Sequence, residues 1–173
     1  TLVKETEKKG QASWNLMNYE NEVFALFGQT PVTTSRDMTN QFVHLWNMAT
    51  AWGTYGNLLY HNDSLKDDIL FGLEWMYQNL YGQAEIEKRG WRSVTSYNWS
   101  DWYSSSPKAL AETMIILGDE IEQQKINAYL SLYNYLRTIM RTEKTPGHAI
   151  SRIYTGTAAA LLQRDSHWML SMV

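Results

Sequence analysis

The sequence predicts an all-α fold of antiparallel helical hairpins. Three observations lead there. Apolar residues recur at i, i+3 and i+4 over several stretches, capping residues or glycines bracket those stretches, and no strand-like alternation survives inspection. Short turns between such helices make chain neighbours antiparallel.

Taken in order, residues 1–13 carry the run Glu7-Lys8-Lys9-Gly10 and read as a frayed or weakly helical lead-in. Trp14, Met17, Val23, Phe24 and Phe27 have helix-like spacing that stops at Gly28, before Pro31. Ser35-Arg36-Asp37-Met38 opens a helix whose face is Phe42, Leu45, Trp46, Ala49 and Trp52, ended by Gly53 and Gly56. Asn62-Asp63-Ser64 caps the next one, with Leu65, Ile69, Leu73, Met76, Tyr77 and Leu80 on one face and Gly82 as its close. From Gln83 to Ser105 the chain reads as a long irregular segment, and loops of that length are usually functional. Helix returns over Pro107–Leu117, turns at Gly118-Asp119, and resumes through Ile126, Tyr129, Leu130, Tyr133, Leu136 and Ile139-Met140. A second irregular piece, Arg141–Gly147, leads to a helix from about Ala149 to Leu162, and Ser166–Val173 reads as a last, still apolar helix.

With 173 residues the chain is expected to form one domain with a real core. A net charge of −3 argues against nucleic acid or an anionic membrane as partner. There is no cysteine, so disulfides play no part. No apolar run approaches a membrane span, and Thr1-Leu2-Val3-Lys4 is not a signal peptide. Without an initiating Met, the chain is expected to be a mature form or a fragment, and its apolar last residues are expected to be continued or covered. Trp (8) and Tyr (11) exceed what such a core requires, which hints at a ligand-stacking surface.

The most informative stretch is Tyr97-Asn98-Trp99-Ser100-Asp101-Trp102-Tyr103, followed by serines and Pro107-Lys108-Ala109-Leu110. Ser106 before Pro107 reads as an N-cap and first helical position. Indole and phenol faces stack on the C–H faces of sugars, while Asn98 and Asp101 offer hydrogen bonds to hydroxyls, so carbohydrate is the ligand such a loop suits. The plainer reading is that the rings plug the loop onto the domain, and both stay open.

Other chemistries find little support. The acidic pairs Asp67-Asp68, Glu85–Glu87 and Glu120–Glu122 read as solvated helix faces, not as opposed hydrolytic carboxylates. The 4 His residues lack i, i+4 pairing, so neither a metal site nor a cofactor is expected. There is no phosphate loop, nucleophile elbow or nucleophilic Cys.

Asn98-Trp99-Ser100-Asp101-Trp102, then Pro107-Lys108-Ala109, resembles the Asn-Trp-Trp to Pro-Lys-Ala signature of polysaccharide lyases of the hyaluronate, chondroitin AC and xanthan lyase group, with the same Asn-to-Pro interval. Lys144-Thr145-Pro146-Gly147-His148 is similar to that family's Lys-Thr-Gly-Ala-Asn segment, and Glu74-Trp75-Met76 with Tyr81 resembles its Glu-Trp-Met…Tyr helix. The matches come in order and cover the chain from about Thr34 onward. The resemblance implies an incomplete (α/α) toroid of which this chain is the N-terminal half, and β-elimination on uronate-containing polysaccharide. It also implies an anionic polysaccharide as partner, the C-terminal remainder of the lyase as a second, and an extracellular setting.

By the same resemblance Trp99 lays the polymer into the cleft and Asn98 contacts it. Ser100 stands where the family has a second Trp, for which Trp102 is expected to compensate. His148 stands where the family has an Asn that holds the uronate carboxylate and acidifies the neighbouring proton. An imidazolium can do that job; alternatively His148 is a helix-entry residue and the site has drifted. The family's base, acid and supporting Arg residues lie C-terminal to the matched region, so Arg152, Tyr154 and His167 are expected to be structural. A non-catalytic carbohydrate-binding module and a plain interaction domain remain the competing functions.

Overall fold

A computed structural model describes residues 1–20, 25–82, 87, 98–139 and 146–164. The helices are α1 (Leu2–Trp14), α2 (Ser35–Gly53), α3 (Asp63–Asn79), α4 (Ser106–Leu117), α5 (Gln123–Ile139) and α6 (Pro146–Gln163). A π-helical turn, Asp101–Ser105, runs into α4, and a short 3₁₀ turn, Gly118–Glu120, links α4 to α5. Among the described residues no strand forms; one isolated antiparallel bridge joins Met17 and Phe27.

Cross-helix contacts give the packing. Thr39 meets Ser106, Ser104 meets Ser151, and Tyr154 meets Glu112, so α2, α4 and α6 lie parallel in one layer. Lys66 reaches Glu120 and Glu74 reaches Tyr129, placing α3 parallel to α5 in a second layer, antiparallel to the first. The core lies between the layers, with Phe42, Leu45, Met48, Leu73, Met76, Met114 and Tyr133 fully buried. An apolar groove of about 560 Å³ stays open between α4 and α6, lined by Ile115, Ile150, Ile153, Tyr154 and Leu161 among others.

Local chemistry explains the starts of α2 and α3. Thr34 and Asp37 form a reciprocal capping box, and the Thr34 hydroxyl is the main reason the Asp37 carboxyl lies below its ordinary range. The Asn62 side chain accepts the Leu65 N–H at 2.9 Å, as its position predicts.

Two expectations are corrected. The N-terminal lead-in is a well-formed helix: Gly10 lets α1 press against α2 so closely that a Cβ there would overlap that of Ala51. The segment after Trp14 is not helical where described. Asn18 Nδ2 instead donates to the carbonyls of Ala25 and Gly28, and the Phe27 N–H donates to Gln41 Oε1 at 2.8 Å. Val23 and Phe24, the bulk of the 83–105 segment before Asn98, and the expected helix Ser166–Val173 lie outside the described residues.

Glu74 joins the second layer together, accepting hydrogen bonds from Tyr129 Oη at 2.6 Å and Lys125 Nζ at 3.2 Å. The Tyr129 bond, followed by that of Lys125, outweighs partial burial and holds the Glu74 carboxyl below its ordinary value of 4.5. A depressed folded-state pKa stabilises above the unfolded value, and that contribution is lost as pH falls through the folded one. Tyr129→Phe is therefore expected to lower the urea midpoint at pH 7 and to leave a smaller deficit well below pH 4. An equal deficit at both pH values would count against this pairing.

Candidate functional site

The site is built on the turn at 98–105. Its helical backbone begins at Trp99, upstream of the expected start at Pro107. Ser106 does not cap; its hydroxyl pairs with that of Thr39 at 2.9 Å, and both are buried. The Ser106 N–H reaches back five residues to the Asp101 carbonyl, which makes the turn π-helical. Pro107 has no N–H to offer, so the Trp102 carbonyl is left over. The Tyr81 hydroxyl takes it at 2.6 Å. Through this bond Tyr81, the Tyr that follows Glu74-Trp75-Met76, docks the end of α3 onto the turn.

Burial divides the expected ligand contacts. Asp101 is fully buried; its Oδ2 accepts the Ser35 hydroxyl at 2.9 Å and its Oδ1 lies 3.5 Å from the Arg36 guanidinium. Trp102 is also in the core, its ring stacked on Tyr81 with centroids 5.9 Å apart. Asp101 and Trp102, both expected to contact ligand, are thus buried, Asp101 against Ser35 and Arg36 of α2 and Trp102 on Tyr81. Asn98 is exposed, and its Oδ1 accepts the Ser100 N–H at 3.3 Å, leaving Nδ2 without a partner among the described residues. Trp99 is half-buried, one part of the ring packed on the core.

The turn touches α2, α4, α5 and α6. Because α2, α4 and α6 are parallel, their N-termini gather at this end, together with the C-termini of the antiparallel α3 and α5. Arg36 adds a guanidinium that is 63% exposed. Tyr103 lies against Tyr133 with ring centroids 5.8 Å apart, and Ser104 pairs with Ser151. Burial raises the Tyr133 hydroxyl pKa and Tyr103 adds to it, while the charges of Arg137 and Arg152 oppose that rise. His148 belongs to the first turn of α6, at the same end; its side chain lies outside the described residues. Arg36 and Arg137 were not legible as site residues, since neither stands in a motif. Their signal was positional: Arg36 begins α2 and Arg137 ends α5.

The chain is similar in sequence and fold to known proteins of one family. Residues 1–156 match the family model described as polysaccharide lyase family 8, N terminal alpha-helical domain. A xanthan lyase from Bacillus sp. strain GL1 is 33% identical over 102 residues, 59% of this chain and 10% of that protein. A hyaluronate lyase from Enterococcus faecalis is 32% identical over 103 residues, 59% of this chain and 9% of that protein. The solved Paenibacillus xanthan lyase superposes with a TM-score of 0.81 at 25% identity, over 96% of this chain and 15% of that one. Streptomyces coelicolor chondroitin AC lyase, solved in complex with chondroitin sulphate, gives a TM-score of 0.81 at 19% identity, over 96% of this chain and 22% of that one. The chain thus spans about a tenth of the length of the curated relatives it matches. Its hairpins have the architecture of a lyase α-toroid. With the motifs, the fold and the family model in agreement, the chain belongs to polysaccharide lyase family 8, as an N-terminal α-helical domain of that family.

Proposed function

We propose that this chain supplies the substrate-laying wall of a larger polysaccharide lyase that cleaves a uronate-containing polymer of the hyaluronan, chondroitin or xanthan type by β-elimination. One observation carries the reading. The half-buried Trp99 and exposed Asn98 stand at the same end as the N-termini of α2, α4 and α6 and the guanidiniums of Arg36, Arg137 and Arg152. A ring near several guanidiniums suits a sugar polymer that carries carboxylates.

In β-elimination a base removes the C5 proton of the uronate, the electron pair forms the C4–C5 double bond, and the glycosidic oxygen leaves from C4 with a proton from an acid. The carboxylate's negative charge resists the first step, so positive groups held against it lower the barrier. On this reading the chain holds and orients the uronate, His148 at the start of α6 is the residue assigned to its carboxylate, and base and acid come from the remainder of the lyase, working outside the cell. A carbohydrate-binding module without chemistry is the second reading, favoured by Ser100 and His148 at family Trp and Asn positions.

Affinity electrophoresis through gels containing hyaluronan, chondroitin or xanthan tests the wall. Retardation by one polymer is expected, reduced about tenfold in affinity by Trp99→Ala, with a lowered but still cooperative thermal transition, since part of the ring packs on the core. Full-length protein that yields no unsaturated uronate from any of the polymers would overturn the lyase reading; retardation without such products favours the second.

A further inference from the structure

We propose that the α2–α3 loop, with the face of α1 beside it, is a second binding surface for an anionic polysaccharide; the ligand class rests on the function proposed above. The loop lies at the far end of α2 from Arg36, about 26 Å along the helix axis at 1.5 Å per residue.

Its rings form a ladder that climbs out of the core. Trp52, 6% exposed, stacks on His61 at 4.5 Å between centroids, and His61 stacks on Tyr60 at 4.2 Å. Tyr60 meets the edge of Tyr55 at 5.4 Å. The last ring, Tyr55, is 81% exposed, and neither it nor Tyr60 (38% exposed) uses its hydroxyl in a hydrogen bond among the described residues. The support beneath them is rigid: Asn57 Nδ2 bonds the carbonyls of Ala51 and Thr54, and its Oδ1 accepts the Leu59 N–H at 2.7 Å. His61 adopts φ +49°, a left-handed backbone that costs energy for a residue other than glycine. A fixed, outward stair of rings with free phenols suits a sugar face better than an aliphatic partner does.

Leu58 ties the stair to α1 through its N–H bond to Glu7 Oε2 at 3.0 Å, and there a groove of about 380 Å³ opens. Lys4 and Lys8, one turn apart, stand on its α1 wall. Lys9, Lys66, Lys108 and Lys125 each pair with a carboxylate, whereas Lys4 and Lys8 pair with none among the described residues. The one acid in the groove, Glu7, is engaged by Leu58. The loop that carries the rings thus also borders two lysines of α1 through Leu58 and Leu59, a combination that suits an anionic sugar chain, and a long polymer that reaches both ends gains by effective concentration.

The test is titration of the wild type, Tyr55→Ala/Tyr60→Ala, Lys4→Gln/Lys8→Gln and Trp99→Ala with high-molecular-weight hyaluronan, chondroitin sulfate and xanthan, and with their short oligosaccharides. The tyrosine double variant is expected to lose about tenfold in affinity for the long polymer while its Trp99-dependent binding of oligosaccharide stands. The lysine double variant is expected to show a shallower salt dependence. Because Tyr55 and Tyr60 are exposed, an unchanged circular dichroism melt checks that folding is intact. Wild-type affinity in the tyrosine double variant would overturn the second surface and leave the first. Loss only in that variant, with Trp99→Ala silent, would keep the second surface and overturn the first. No binding by the wild type would overturn both. In the full-length lyase, polymer should protect Tyr55 from nitration; a Tyr55 that is unreactive without polymer would show that polypeptide covers it and would overturn the proposal.

Discussion

Trp102→Ala is expected to lower stability by about 3–5 kcal/mol, the usual range for removing a buried Trp. The ring is 7% exposed and stacks on Tyr81, which in turn meets Phe42 edge-on at 5.4 Å. Alanine would leave a cavity where α3, α2 and the turn meet, and the Tyr81 bond to the carbonyl of residue 102 would have to span it. Trp102→Phe should cost less, about 1.5 kcal/mol or under, because the indole N–H is buried without a partner among the described residues and its removal offsets part of the lost packing. Urea denaturation of both variants at constant m-value is the measurement. Near-wild-type stability of Trp102→Ala would mean that the ring does not hold the turn in place.

Asp101→Ala is expected to cost about 2–3 kcal/mol, the range for a hydrogen bond to a charged group with its donor left unsatisfied. The donor is the Ser35 hydroxyl, itself buried. Arg36 adds little, because its exposed guanidinium rehydrates. Asp101→Asn keeps the shape and an acceptor, so it should cost less than half as much in the same denaturation series. Both variants should also weaken polymer retention, since the turn that aims Trp99 is pinned to α2 through this carboxylate. Full retention by Asp101→Ala would separate the turn's geometry from binding.

The helices that are legible in the sequence have local causes. Asn62 caps α3 through its own side chain, and Gly53 ends α2 where the periodic face ends. The elements that local pattern misses depend on partners far away in the chain. α1 has a weak apolar face and owes its order to the Gly10–Ala51 approach, which no window of local sequence contains. The spacing from Trp14 to Phe27 suits a helix, yet Gln41 and Asn18 capture the backbone groups there instead. The aromatic stretch reads as a loop because Asn, Ser and Asp favour turns; it is helical because Ser35, Thr39 and Tyr81 receive its polar groups. The motif locates the site, but it does not sort Trp99 from Trp102. Only three residues separate them, and that interval puts neighbours on one face of an α-helix. The π turn breaks that register.

That turn has an evolutionary meaning. A π-helical insertion holds one residue more than the α-helix around it, and each residue of helix corresponds to about 100° of rotation. Losing one residue from Asp101–Ser105 would restore plain α-helix and swing Asn98 and Trp99 around the axis, but it would also shift Asp101, Trp102 and Tyr103, which are buried against Ser35, Tyr81 and Tyr133. The direction of Asn98 and Trp99 is therefore coupled to the core, and a lineage that re-aims them by a one-residue insertion or deletion here has to repack that core as well.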